Sequence, residues 1–195
     1  MSDLYDRLEE IQRMVRVLTR DADTLRGQLG GRSIQDDVTD QQAGARRAYV
    51  RAVFALVEAV VEQHKRLLLD LAARQVIVLD PQTRAALAEQ TYTVADNGII
   101  SGRDQYLQLR RKLRLVYRVA SEVLGRMAVP YDDHGWQRFG EAIAIRDRIT
   151  HPKTYADCDI AGDDLDTVDG GHNWFRAVNN EFIRVAREHR QGRGW

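Results

Sequence analysis

Apolar residues recur along most of this chain at intervals of three and four, with polar residues filling the gaps. Leu4, Leu8, Ile11, Val15, Leu18, Ala22 and Leu25 are spaced 4, 3, 4, 3, 4 and 3, the alternation that keeps one narrow seam of a helix turned toward a partner. The pattern predicts an N-terminal amphipathic helix, either packed on its own domain or gripping a second chain. Three glycines in "RGQLGGRS" (26–33) predict a hinge, because glycine releases the backbone from helical geometry. They divide a heptad-patterned segment at 1–32 from a helical domain at 33–190.

From about Asp40 to Arg74, Tyr49, Val50, Val53, Phe54, Val57, Val60, Val61, Leu67, Leu68 and Leu71 follow helical spacing, interleaved with Arg46, Arg47, Glu58 and Lys65. This predicts the long central helix of a bundle. His64 falls on the same stripe and reads as a packed residue. Pro81 can open a short helix through "PQTRAALAEQ", since its missing N–H costs nothing at the first helical position. The period then changes. "TYTVADNGIIS" (91–101) sets strand formers on both sides of Asn97-Gly98, a pair suited to the positive φ angles of a tight hairpin.

A further helix over 103–127 places Leu109, Leu113, Val116, Ala120, Val123 and Met127 on one face. After "VPYDDHG", which offers a cap, a helix from Trp136 to Thr150 is expected to bury Trp136, Phe139 and Ile143 together with Ala142, Ile145 and Ile149. The last helix begins near Asp163 and runs through Leu165, Val168, Phe175, Val178, Phe182 and Val185 to about His189, with 191–195 as a tail. The expected class is all-α: a bundle of four to five helices with a small inserted β-hairpin and an N-terminal amphipathic helix.

Charge changes this picture only locally. The 29 basic and 29 acidic residues give a formal net charge of zero, so no overall pull toward nucleic acid or membrane is implied. The span 103–127 is different, with seven basic residues against two acidic ones. Arg110, Arg111, Lys112, Arg114 and Arg118 there can hold a phosphate backbone, as can Lys153 further on; a solvated helix face is the alternative. The single cysteine, Cys158, excludes an intramolecular disulfide, and the N-terminus lacks the basic-then-apolar order of a signal peptide. A cytoplasmic protein is therefore expected. The longest apolar stretch is interrupted by Glu58 and too short to span a bilayer.

The chemistry concentrates in "AIRDRITHPK" (144–153). Arg146 follows Ile143 by three residues and Phe139 by seven, so it leaves the helix on the apolar side, where a guanidinium needs a carboxylate, carbonyls or a phosphate. Asp147 and His151 are four apart, and a carboxylate beside an imidazole can fix its tautomer. Arg146 and His151 stand roughly 140° apart on a straight helix. Pro152 pushes His151 out of helical geometry, which lets the two converge, above all across a two-fold axis.

The loop "ADCDIAGDDLDTVDG" (156–170) has six aspartates, but Ala161 and Val168 occupy the fifth and twelfth positions that a calcium loop starting at Asp157 requires. Helix capping by Asp163, with Asp164 and Asp166 near the positive end, is the better reading. Asp132, Asp133, His134, Asp157 and His172 form no recognised metal motif with Asp147 and His151. Gly-x-Gly-x-x-Gly, phosphate-binding-loop and Cys-x-x-Cys patterns are missing.

"RDRITH" matches the Arg-(polar)-x-x-x-His signature of the HEPN superfamily, and the surrounding "GWQRFGEAIAIRDRITHPK", the hairpin with its Asn-Gly turn and the "NWF" of the last helix resemble small bacterial HEPN-like proteins. The resemblance covers roughly 40–190. It implies a homodimer whose two motifs line one cleft and, in active members, metal-independent RNA cleavage leaving a 2′,3′-cyclic phosphate, without a cofactor. Arg146 would then hold the scissile phosphate, His151 would move a proton or position the 2′-hydroxyl, and Asp147 would orient His151. A toxin or phage-defence effector, with an antitoxin on the N-terminal helix, is one implied role. A non-catalytic dimeric module binding RNA or protein is the other.

Overall fold

The computed structural model describes residues 2–29 and 39–193, with side chains for 7–29 and 39–192. Among the described residues the chain forms six helices and one two-stranded sheet: α1 (Ser2–Gln28), α2 (Asp40–Ala73), α3 (Pro81–Leu87), β1 (Gln90–Val94), β2 (Ile100–Asp104), α4 (Leu109–Val123), α5 (His134–Thr150) and α6 (Gly162–Arg193), with a 3-10 turn at Tyr155–Cys158 between α5 and α6. The helical class expected from periodicity is the one observed. Gly30 and Gly31 of the expected hinge, and the boundary drawn at residue 32, lie outside the described residues. The last helix runs on past His189 to Arg193.

Two compact units share the long helices. The first contains Val61–Ala128 with α6 from Glu181 and the start of α1. Its core sets Leu67, Leu68 and Leu71 of α2 with Leu113, Val116 and Tyr117 of α4 and Phe182 of α6, all buried. His64 is fully buried here as well: its ring stacks on Phe182 with centroids 3.6 Å apart, and Nδ1 lies 3.3 Å from the Tyr117 hydroxyl. Burial pushes its pKa down to about 3, so the imidazole is neutral in the fold.

In the same unit β1 and β2 pair antiparallel, with Tyr92 opposite Gly102. The turn is longer than the two-residue hairpin expected. Only Gly98 takes a positive φ (+77°), its N–H bonds to the Ala95 carbonyl, and Asn97 instead uses its side-chain oxygen to accept from Ile99 N–H. The strand also takes up 100–104, which delays α4 from residue 103 to Leu109.

Glu89, at the base of the hairpin, has φ +53°, a conformation that costs a non-glycine residue roughly 1 kcal/mol. Its bonds hold it there. The carbonyl accepts from Gln105 N–H, and the carboxylate accepts from Leu107 N–H and from the ammoniums of Lys65 and Lys112, both at 2.7 Å. Burial alone would push the Glu89 carboxyl up; the bonds from Lys112 and Lys65 outweigh it and hold the group below the usual carboxylate range.

The second unit gathers the described residues of Leu8–Val60 with Val129–Asn180. Leu8, Ile11 and Ala22 of α1 are buried and Val15, Leu18 and Leu25 are half-buried, so the described part of the heptad seam packs in part on the protein's own core. Near its end Arg26 holds Asp169 at 2.7 Å, and Asp169 also accepts from the Tyr49 hydroxyl. α5 begins at His134, two residues before the expected Trp136, because Asp133 caps it by accepting from Trp136 N–H at 2.7 Å. Trp136 and Trp174 lie 5.0 Å apart at their centroids, and Phe139 stands within 5.9 Å of both. Gly171 lets α6 approach α5, since a Cβ there would stand 2.8 Å from the Phe139 Cα.

Candidate functional site at the end of α5

The inward face of α5 is Trp136, Phe139, Ala142, Ile145 and Ile149. Ile143, expected in the core, is half-buried because the face turns toward Ala142 and Ile145. Arg146 therefore leaves the flank of the buried face. Its side chain is 18% exposed, and three groups hold it: Glu58 Oε1 at 2.7 Å from Nη2, Asp147 Oδ1 at 3.2 Å from Nη1, and the Phe54 ring, whose centroid is 5.3 Å from the guanidinium carbon. The Nε atom is buried without a partner. Both Nη groups are thus already met by carboxylates, which an incoming anion has to displace. Glu58 and Asp147 are half-exposed, so water reaches both carboxylates and weakens their hold.

His151 ends the helix. At φ −127° and ψ 59° it has left helical geometry, as the following proline requires, and its N–H still bonds to the Asp147 carbonyl. The ring is exposed and makes no hydrogen bond or ion pair among the described residues. Asp147 was expected to orient this imidazole; its carboxylate lies instead on Arg146, the nearer cation and one with two N–H edges to offer.

Two of the three partners of Arg146, Phe54 and Glu58, come from α2, and sequence reading did not assign them to it. Arg47, Arg51, Phe54 and Glu58 follow at i, i+4, i+7 and i+11 and so lie along one side of that helix. Arg47 donates to the Cys158 carbonyl at 3.1 Å and Arg51 to the Ile149 carbonyl at 3.2 Å; Arg46, beside them, donates to the Ile160 carbonyl at 2.7 Å. The signal was present as charged residues set into an apolar stripe.

The loop after His151 is fixed by its own aspartates. Asp157 accepts from the N–H groups of Lys153 and Thr154, both at 2.8 Å, bonds that hold its carboxyl below the usual range. Asp164, not Asp163, serves the start of α6: it accepts from Ala161 N–H at 3.0 Å and pairs with Arg148 at 2.7 Å. No three His, Cys, Asp or Glu side chains among the described residues cluster as metal ligands would.

The predicted phosphate-binding residues belong to different units. Lys153 is exposed beside His151. Arg110, Arg111, Lys112, Arg114 and Arg118 lie on α4, in the other unit. Lys112 is withdrawn from that surface by Glu89, and Arg118 pairs with Glu122 at 3.2 Å; Arg110, Arg111 and Arg114 are exposed. Among the described residues no helix is long and apolar enough to cross a membrane. Compared with known protein families, curated proteins and solved structures, the chain finds no significant match.

Proposed function

We propose that this protein is a HEPN-type, metal-independent endoribonuclease, a helical bundle whose homodimer brings two copies of the α5 end to one cleft. The observation that supports the reading is the union, on one helix end, of a guanidinium fixed by Phe54 and Glu58 with an exposed imidazole outside the helix. In the reaction the RNA 2′-hydroxyl attacks the adjacent phosphorus as His151 moves a proton. The bond to the 5′ oxygen breaks, and the products are a 2′,3′-cyclic phosphate and a 5′-hydroxyl. Arg146 stabilises the charge that gathers on the phosphoryl oxygens. The RNA supplies its own nucleophile, so the step needs no metal.

The test is incubation of the purified protein with total RNA in EDTA, followed by identification of the fragment ends. Cyclic phosphates should form with the intact chain and fall about a hundredfold or more in Arg146→Ala and His151→Ala, with the dimer retained in sedimentation. A second reading, a non-catalytic dimeric module, draws on a different observation: two carboxylates already hold the Arg146 guanidinium. Intact protein that leaves structured and unstructured RNA uncut would decide for the module.

A further inference from the structure

Three arginines of α2 are fixed in place without being neutralised. Arg46, Arg47 and Arg51 each donate to a main-chain carbonyl, of Ile160, Cys158 and Ile149, and none forms an ion pair among the described residues. A carbonyl sets the position of a guanidinium, leaves its charge uncancelled and occupies one of its five N–H donors. Arg26, Arg146, Arg148 and Arg184, by contrast, each hold a carboxylate at 2.7 Å.

The aspartates around the loop do not reclaim these charges. Asp157 is taken by two backbone N–H groups, Asp164 by Arg148 and Ala161, and Asp169 by Arg26 and Tyr49. Asp159 and Asp163 are exposed and unpaired among the described residues, so they oppose an incoming anion. Arg47 and Arg51 stand one helical turn apart, about 6 Å, a separation that lets each meet a different phosphate of one strand. Arg51 reaches the carbonyl two residues before His151.

We propose that a single-stranded RNA lays its phosphate backbone along Arg47 and Arg51 of α2, with Arg46 beside them, rather than on the basic residues of α4. Planar guanidinium forks already held in place lose little freedom when they take phosphate oxygens, which is the form of binding that suits Arg over Lys. The inference rests on the nuclease reading for its choice of ligand, but it is judged on binding rather than cleavage.

The experiment uses the full chain carrying His151→Ala and a labelled, mixed-sequence single-stranded RNA oligonucleotide, with affinity measured across a salt series. Arg51→Gln and Arg47→Gln should each weaken binding about tenfold and lower the salt slope by about 0.7; Asp159→Asn should strengthen it, and Arg111→Gln on α4 should change it less than twofold. Arg51→Lys separates charge from architecture. If it keeps the slope that Arg51→Gln loses, the phosphate role stands; if both variants lose it equally and melt lower, Arg51 only holds the loop and the inference fails. It fails also if Arg111→Gln costs as much as Arg51→Gln, if the chain binds polyglutamate but not RNA, or if it binds no RNA. RNA held through Arg51 yet never cut by the intact protein would sink the nuclease and leave this surface standing.

Discussion

The clusters around Glu89 and Arg146 both set cations against carboxylates at a junction of elements, yet they differ in where their charge can go. At Glu89 the carboxylate is 15% exposed and every direction is filled: two ammoniums, the Leu107 N–H, and a backbone carbonyl closed by Gln105. At Arg146 the guanidinium is sheltered, but Glu58 and Asp147 reach solvent. A closed cluster fastens the hairpin to α2 and α4. An open one can exchange a carboxylate for another anion, because water has already paid part of the cost of loosening it.

The sharpest way to break this contrast is Glu89→Ala, which leaves Lys112 without its carboxylate partner and Lys65 with Glu62 alone, at 2.8 Å. Stability to denaturant should fall by about 3 kcal/mol; a loss below about 1 kcal/mol would mean the closed cluster is no fastening at all. His64 extends the comparison to a buried group with no counterion. Its imidazole has a pKa near 3 in the fold against 6.5 when unfolded, so the unfolded chain takes the proton first. Stability from this residue is whole above pH 6.5 and is lost as pH falls toward 3, by about 2 kcal/mol between pH 6 and pH 4. In His64→Leu that part of the pH slope should vanish; an unchanged slope would place the titration elsewhere.

Gly171→Ala probes the frame behind the open cluster. The added Cβ meets the α5 backbone at Phe139, so melting should report a loss of about 2 kcal/mol, and no loss would show that α5 and α6 have room to part. Glu58→Gln gives the smallest effect on folding, under about 1 kcal/mol because the carboxylate is half-exposed. It should nevertheless slow the proposed RNA cleavage by more than its stability change accounts for, since Arg146 loses the group that aims it. Cleavage at the normal rate would remove Glu58 from the site.

The helices were legible because their burial is periodic: every apolar residue named on α2, from Tyr49 to Leu71, is buried. The hairpin was legible from Asn97-Gly98, although its turn type was not, because the side-chain bond of Asn97 to Ile99 leaves no trace in the pattern of strand formers. Ile143 was placed wrongly for want of a finer measure of which flank faces inward. The end of α5 was legible as chemistry, but its support was not. Glu58 and Arg146 are 88 residues apart, and no periodicity reports a pairing at that range. Lys112 read as one member of a basic face until Glu89, 23 positions earlier, drew it inward.

The segment that follows His151 is anchored by its main chain. Arg46, Arg47 and Arg148 grasp the carbonyls of Ile160, Cys158 and Asp159, groups that every amino acid carries. Substitutions at Cys158 and Asp159, neither of which is buried, leave those anchors untouched. The path of the chain past the imidazole can therefore outlast drift at Cys158 and Asp159, while a change in the grasping arginines, or in the Asp157 carboxylate that holds Lys153 and Thr154, would be felt at once.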